Sequence, residues 1–177
     1  MKFTFVRHGE TDYNKRGIIT GRFDEPLNEE GLGQAKEAAS RIPKEDFDVM
    51  FRSSLIRAKQ TADIINEKLA LPIIVTDQIT ERDFGSLVGK TWDEISAEVG
   101  FDARQIDKEQ KYDYRPFGGE SAEEVWERLS NFIEDAKAGK YKKPLVICHG
   151  GIIRMLHARA GQEFTHIANA VEQEFDL

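Results

Sequence analysis

The chain has a single cysteine, Cys148, in 177 residues. An internal disulfide is therefore excluded, and the composition fits a reducing compartment. No apolar run is long enough to span a bilayer. Positive charge is in short supply: 25 Lys and Arg face 32 Asp and Glu, for a formal net charge of −7. Nonspecific nucleic-acid binding depends on neutralising phosphates with Lys and Arg, so this balance argues against it. Repeats and low-complexity tracts are missing, and the first residues read as a strand, not as a signal peptide. The expected location is the cytoplasm. What is present is 40% apolar and 32% charged residues, enough for a packed core under a soluble surface. At this length one domain over residues 1–177 is the expectation.

On this acidic background one short segment stands out. The apolar run Phe3-Thr4-Phe5-Val6 is followed at once by Arg7-His8-Gly9-Glu10. It reads as a strand that delivers an arginine and a histidine into a glycine turn. Ligands of α/β folds gather at strand C-termini. Arginine grips planar oxyanions with a two-pronged fork, and a neutral imidazole beside it can act as a nucleophile. The pair suggests chemistry on a phosphoryl group.

The pattern repeats. Phe47-Asp48-Val49-Met50-Phe51 precedes Ser53, Arg57 and Thr61; Pro72-Ile73-Ile74-Val75 precedes Glu81-Arg82-Asp83-Phe84-Gly85; Leu145-Val146-Ile147-Cys148 precedes His149-Gly150-Gly151. Helical patterns lie between the runs. The order predicts an α/β fold with a mostly parallel central sheet, helices on both faces and a small helical cap. Parallel strands end on one side, so His8, Arg57, Glu81 and His149 should converge on one rim.

The helices have their own signals. Asn28 is placed to cap a helix with Leu32, Ala35, Ala38, Ala39 and Ile42 on its apolar face. Leu55, Ala58, Ala62, Ile65 and Leu69 form the stripe of the next. Arg57 lies off that stripe in the first turn, where a cation opposes the helix dipole and a bound anion would relieve the conflict. Ser121 and Glu124 make a capping box ahead of Val125, Leu129, Phe132 and Ile133. Ile152 through Ala160 reads as a helix stopped by Gly161. Residues 86–118 differ: Trp92, Ile95 and Val99 suggest a short helix, and Asp102 through Arg115 shows no periodicity. This stretch is the expected cap insertion, a natural place for substrate selection. The region of Ala170, Val171 and Phe175 could add an edge strand.

Two other chemistries compete. His8 and His149 could bind a metal, but their spacing matches no zinc pattern and there is no cysteine pair. Cys148 stands six positions before Arg154, between a strand and a helix, near the arrangement in which a thiolate attacks phosphate. That reading leaves Arg7, His8, Arg57 and Glu81 unexplained, so Cys148 is expected to be a buried strand residue. His157 and His166 are expected to be structural or solvated.

Taken in order, the pieces resemble the histidine phosphatase superfamily, the phosphoglycerate-mutase-like proteins. The matching residues are Arg7-His8-Gly9-Glu10-Thr11 with Asn14, Gly21 through Asp24-Glu25-Pro26-Leu27, and Ser53 through Ala62. Glu81 with Phe84-Gly85, Gly118-Gly119-Glu120-Ser121 and His149-Gly150-Gly151 complete the set. Arg52 departs from the pattern, which leads one to expect a small hydroxyl residue there. The resemblance implies a histidine acid-type phosphomonoesterase that is metal-independent and needs no cofactor. His8 would carry the phosphoryl group as phosphohistidine. Arg7, Arg57 and His149 would balance its charge, and Asn14, Gly21 and Gly150 would complete the cradle. Glu81 would donate a proton to the leaving oxygen, a role that asks for a carboxyl partly protonated near neutral pH; burial near the cap could supply that. The expected partner is a small phosphorylated substrate, with no nucleic acid and no membrane; the oligomeric state is open. One alternative is a cofactor-dependent phosphoglycerate mutase, which usually has a longer insertion after the Glu81 region. The other is a non-catalytic phosphate-binding regulatory module.

Overall fold

In the computed structural model, residues 1–162 and 166–177 are described. Five strands form one sheet: β1 (Lys2–Arg7), β2 (Val49–Arg52), β3 (Ile73–Val75), β4 (Pro144–Cys148) and β5 (Glu172–Asp176). Their spatial order is β3-β2-β4-β1-β5. The first four are parallel, and β5 runs antiparallel along β1. The expected edge strand therefore forms. Its apolar anchor is Phe175, which packs edge-on against Phe5 at 5.7 Å.

Alternation along the strands divides the core in two. Phe3, Phe5, Val49, Phe51, Val146 and Cys148 belong to one cluster, with α6 (Ala122–Ala138) and α7 (Gly150–Arg159). Val6, Met50, Leu145 and Ile147 belong to the other, with α2 (Glu29–Arg41) and α3 (Ile56–Leu69). Helices thus cover both faces. β3 departs from its apolar sequence. Ile73, Ile74 and Val75 are exposed because the strand lies at the sheet edge.

The caps form as the sequence suggests. Asn28 Oδ1 accepts the Gly31 N–H at 2.8 Å, and Ser121 with Glu124 closes the box at the start of α6. α3 is capped from a distance, since Asp24 Oδ1 accepts the Ile56 N–H at 2.6 Å. The cap insertion holds α4 (Trp92–Val99) and a second helix that the periodicity did not announce, α5 (Ala103–Lys108). Only Ala103 and Asp107 of α5 are buried, so its inward stripe contains a carboxylate where an apolar residue would have signalled a helix. Among the described residues no helix is long and apolar enough to cross a membrane.

The turn after β1 leads into α1 (Asp12–Arg16) and is pressed against the start of α2. A Cβ at Gly31 would meet Glu10 O at 2.1 Å, and one at Gly9 would meet Gly31 O at 2.4 Å. Both neighbours are backbone and cannot step aside. Gly33, two residues on in the same helix, is exposed and would meet nothing within 4 Å. Gly33→Ala should therefore stabilise the protein by about 0.5–1 kcal/mol through helix propensity. Gly31→Ala should instead destabilise it by about 1–3 kcal/mol, as overpacking does. Urea unfolding of the two variants checks the contrast, and equal effects would contradict the close approach.

Candidate active site

The register of two strands builds the centre. Arg7 on β1 pairs with Cys148 on β4, and the His8 N–H donates to Cys148 O at 3.0 Å. The next residue on each strand is a histidine. The rings of His8 and His149 lie 5.1 Å apart between centroids. On the other side of β4, Arg52 pairs with Ile147, which sets Ser53 beside His149 with Oγ 2.8 Å from Nε2. The connections leaving β1 and β4 lead to helices on opposite faces, which opens a crevice between the two strand ends.

Hydrogen bonds assign the proton of His8. Gly9 O is an acceptor 2.6 Å from His8 Nδ1, so Nδ1 carries the hydrogen. The Nε2 lone pair accepts the Arg57 Nε–H at 3.3 Å. Ser53 Oγ accepts the Leu55 N–H and lies 2.8 Å from His149 Nε2, where a hydroxyl can donate or accept. His149 Nδ1 is a buried atom with no hydrogen-bond partner. Burial holds both rings well below the usual histidine range, with Arg57 and Arg7 adding to the effect; the neighbouring His149 also acts on His8. Both are neutral.

The arginines are anchored by main-chain oxygens. Arg57 is buried, and donates to Phe23 O at 2.8 Å and Gly21 O at 2.7 Å. The dipole conflict expected at Arg57 is eased by the Asp24 carboxylate at the α3 cap as well as by these carbonyls. Arg7 donates to Ile167 O at 2.7 Å and keeps a buried Nε without a partner. Burial, reinforced by Arg154, brings Arg7 down to about 10. A cavity of about 580 Å³ is lined by Arg7, Asn14, Gly21, Glu81, Gly150 and Arg154, among others. His8, Arg57 and His149 are nearly covered. The structure thus brings together every residue singled out for phosphoryl chemistry. Gly21 enters differently from expectation: its carbonyl is committed to Arg57.

Glu81 overturns one expectation. Burial by itself would raise its carboxyl, but Arg82, Arg154 and the N–H groups of Gly151 and Arg82 outweigh that and draw it down to about 2. The unliganded site holds a carboxylate. Gly151 makes this possible, since its N–H reaches Glu81 Oε2 at 3.0 Å and a Cβ there would lie 2.0 Å from Oε1. The Glu81 segment is tied down by Arg128, which donates to Gln78 O and Thr80 O at 2.9 and 2.8 Å. Glu120 adds to the tie: its carboxylate accepts the Asp83 N–H at 2.8 Å and holds Arg128 and Arg22. The Gly118-Gly119-Glu120-Ser121 run is therefore a bracket for the Glu81 segment.

Sequence reasoning gave no role to Arg154 or Arg82. Arg154 was visible only as part of the cysteine alternative, which fails because burial pushes the Cys148 thiol far up and its side chain lies in the apolar core. Arg154 instead lines the cavity with an unpartnered Nε. Arg82 is fully buried between the rings of Phe84 and Tyr112, with Asp107 of α5 at 2.8 Å. Arg52 turns to Ser53 O at 3.0 Å and does not line the cavity.

Two neutral buried histidines have a consequence for stability. Below the ordinary histidine value of about 6.5, the unfolded chain takes up protons at positions 8 and 149 that the folded chain refuses. Stability should be level above pH 7 and fall below pH 6 by about 1.4 kcal/mol per pH unit for each histidine. Glu81 adds a further loss below the ordinary glutamate value, continuing toward about 2. Urea unfolding from pH 7.5 to 5.5 measures the slope, and His8→Asn should roughly halve it. An unchanged slope in that variant would contradict a neutral His8.

The family model for the histidine phosphatase superfamily (branch 1) matches residues 3–173. A metal-independent phosphoserine phosphatase of Arabidopsis thaliana is 37% identical over 169 residues, covering 91% of this chain and 69% of that protein. A 2,3-bisphosphoglycerate-dependent phosphoglycerate mutase of Methylobacterium radiotolerans is 35% identical over 161 residues, covering 85% of this chain and 74% of the mutase. Among solved structures, a mycobacterial glucosyl-3-phosphoglycerate phosphatase superposes with a TM-score of 0.85 at 27% identity, covering 98% of this chain and 91% of that one. With the paired histidines and their arginines at the ends of β1 and β4, these likenesses show that the chain belongs to the histidine phosphatase superfamily.

Proposed function

We propose that the protein hydrolyses a small phosphomonoester through a phosphohistidine at His8. One observation carries the reading. Arg7 Nε, Arg154 Nε and His149 Nδ1 are buried without partners beside a neutral imidazole. Each unmet buried donor costs about 1–3 kcal/mol, so a cluster of them marks a place where a ligand brings acceptors. The two guanidinium donors suit the non-bridging oxygens of a phosphoryl group, and His149 adds a third when Nδ1 carries its hydrogen. Asn14 lines the same cavity, and so does Gly150 at the start of α7.

In this mechanism His8 Nε2 exchanges the Arg57 N–H for phosphorus. The N–P bond forms as the ester P–O bond breaks, in line. Nδ1 keeps its hydrogen, and Gly9 O supports the positive charge that the ring gains. The leaving oxygen needs a proton, and Glu81 is ionised in the unliganded site. A phosphate ester loses its last proton near pH 6. Its arrival beside Glu81 sets like charges together and engages Arg154, and both effects raise the carboxyl. Glu81 then takes the proton from the ester monoanion and passes it to the leaving oxygen. In the second half, Glu81 accepts a proton from the attacking water, the N–P bond breaks, and phosphate leaves.

The mutase alternative draws on relatives of that name. Among the described residues the α-helices of the cap are the short α4 and α5. Such a cap favours water reaching the phosphohistidine. Incubation with 3-phosphoglycerate should release phosphate faster than it forms 2-phosphoglycerate, and the reverse would establish a mutase. His8→Ala should abolish turnover. Acid quench of the wild-type enzyme in turnover should lose the label, and alkaline quench should retain it, as a phosphoramidate requires. Full activity in His8→Ala would end this reading and favour a phosphate-binding module.

Gly151→Ala tests the proton donor without changing its chemistry, because the new Cβ displaces the Glu81 carboxylate. In single-turnover bursts, an alkyl phosphate should lose about 10²-fold in phosphorylation rate, and a nitrophenyl ester with a good leaving group should lose little. Equal losses would remove Glu81 from the acid role.

A further inference from the structure

Asp107 is a buried carboxylate in a helix that has little else to bury. In α5 only Ala103 is buried with it. Arg82 Nη2 donates to Asp107 Oδ2 at 3.0 Å, and Arg82 Nη1 stands 2.8 Å from Oδ1. Tyr114 OH donates to Oδ1 at 3.4 Å. A buried ion pair is seldom more stable than apolar residues of the same volume. Docking of α5 by itself therefore does not ask for a carboxylate.

A second cation gives that carboxylate a use. Arg154 Nε lies 4.0 Å from Asp107 Oδ2, and Arg154 lines the cavity above His8 together with Arg82 and Glu81. Glu81 is faced by cations from four segments: Arg82 beside it, Arg154 on α7, Arg7 on β1 and Arg57 on α3. Its carboxylate also takes the N–H groups of Gly151 and Arg82, and Tyr112 of the cap acts on it. Arg22 reaches its main-chain oxygen at 3.3 Å. Arg82 and Arg154 draw hardest on Glu81, and Asp107 pulls on the same two. Two carboxylates thus share two arginines, one from the cap and one from the floor of the site.

We infer that Asp107 is a positioning residue for phosphoryl transfer: from the cap it holds Arg82 and shares Arg154, and so divides their charge between itself, Glu81 and the phosphoryl group. The inference rests on the phosphomonoesterase reading and adds to it a residue that does not line the cavity above His8. With Asp107 ionised, Glu81 can take up the proton that the leaving oxygen needs. Without that charge, the arginines grip phosphate harder and leave Glu81 less able to take the proton.

Asp107→Asn gives opposite signs for a charge role and a structural one. It is made in two backgrounds, the native chain and Arg82→Met. In the first it strands a buried arginine, which can cost the fold. In the second no Arg82 is left to strand, and only the pull on Arg154 is removed. Calorimetry with inorganic phosphate at pH 7.5 should show about ten-fold tighter binding after Asp107→Asn in both backgrounds, the scale of one unit charge removed near the site at a partly screened dielectric. A merely structural Asp107 would loosen phosphate in the native chain and change nothing in the Met background. Single-turnover bursts then compare an alkyl with a nitrophenyl phosphate. The alkyl rate should fall about ten-fold relative to the nitrophenyl rate, and the pH above which it declines should move down by about one unit. Asp107→Glu keeps the charge and should return both readouts toward the native values. Equal or looser phosphate binding after Asp107→Asn in the Met background, or an ester ratio that does not fall, would overturn the inference and leave hydrolysis by the native enzyme intact. Tighter phosphate binding with neither ester hydrolysed by the native enzyme would uphold the hold of Asp107 on the arginines and overturn the hydrolase reading instead.

Discussion

The parallel register of β1 against β4 is the constraint on which the site depends. Arg7 beside Cys148 puts His8 beside His149, and the adjoining register of β2 on β4 puts Ser53 next to His149. A shift of one residue would turn every side chain to the opposite face. It would also send Phe3 and Phe5 away from the cluster they share with α6 and α7. The packing that stabilises the sheet and the geometry that aligns the histidines are therefore one condition. The close backbone contact at Gly9 and Gly31 extends it, because it fixes the turn that carries the His8 main chain.

Around that pair the protein gathers arginines that it keeps largely from solvent. Burial of a guanidinium is costly unless its donors are met. Arg57 solves the problem with carbonyls of the 21–23 turn, and Arg82 with Asp107 and two aromatic faces. Arg7 and Arg154 are only partly satisfied. Both of these arginines line the cavity. Functional sites are where local rules of satisfaction are expected to fail, and here the failure has a direction and a charge. Glu81 belongs to the same balance. Its ionised state offsets the arginines while no anionic ligand is present.

The superfamily contains phosphatases and mutases, and both occur among the relatives of this chain. The paired histidines of this chain are built by the sheet. Above them lies a second layer, the cap. In this chain that layer is α4 and α5, joined to the floor of the site through Asp107 and Arg82. A cap residue therefore touches the arginine that follows Glu81, so the rim and the Glu81 segment are linked.

Much of this was readable along the chain. The strand runs were legible because their apolar periodicity is local, and so were the Asn28 and Ser121 caps, which depend on residues three apart. The convergence of His8, Arg57, Glu81 and His149 followed from parallel strands ending on one side. α5 was hidden because its buried position holds Asp107, and β3 looked like a core strand because its sequence does not reveal an edge. Three properties needed the tertiary structure. The proton position on His8 depends on Gly9 and Arg57. Glu81 is ionised because Arg82, Arg154 and the Gly151 N–H converge on it from distant segments. Arg154 faces the cavity because of how α7 is set against the sheet. Residue type and local spacing determine which groups are available and which elements carry them. Charge state and satisfaction are sums over neighbours from the whole chain, and only the folded arrangement decides them.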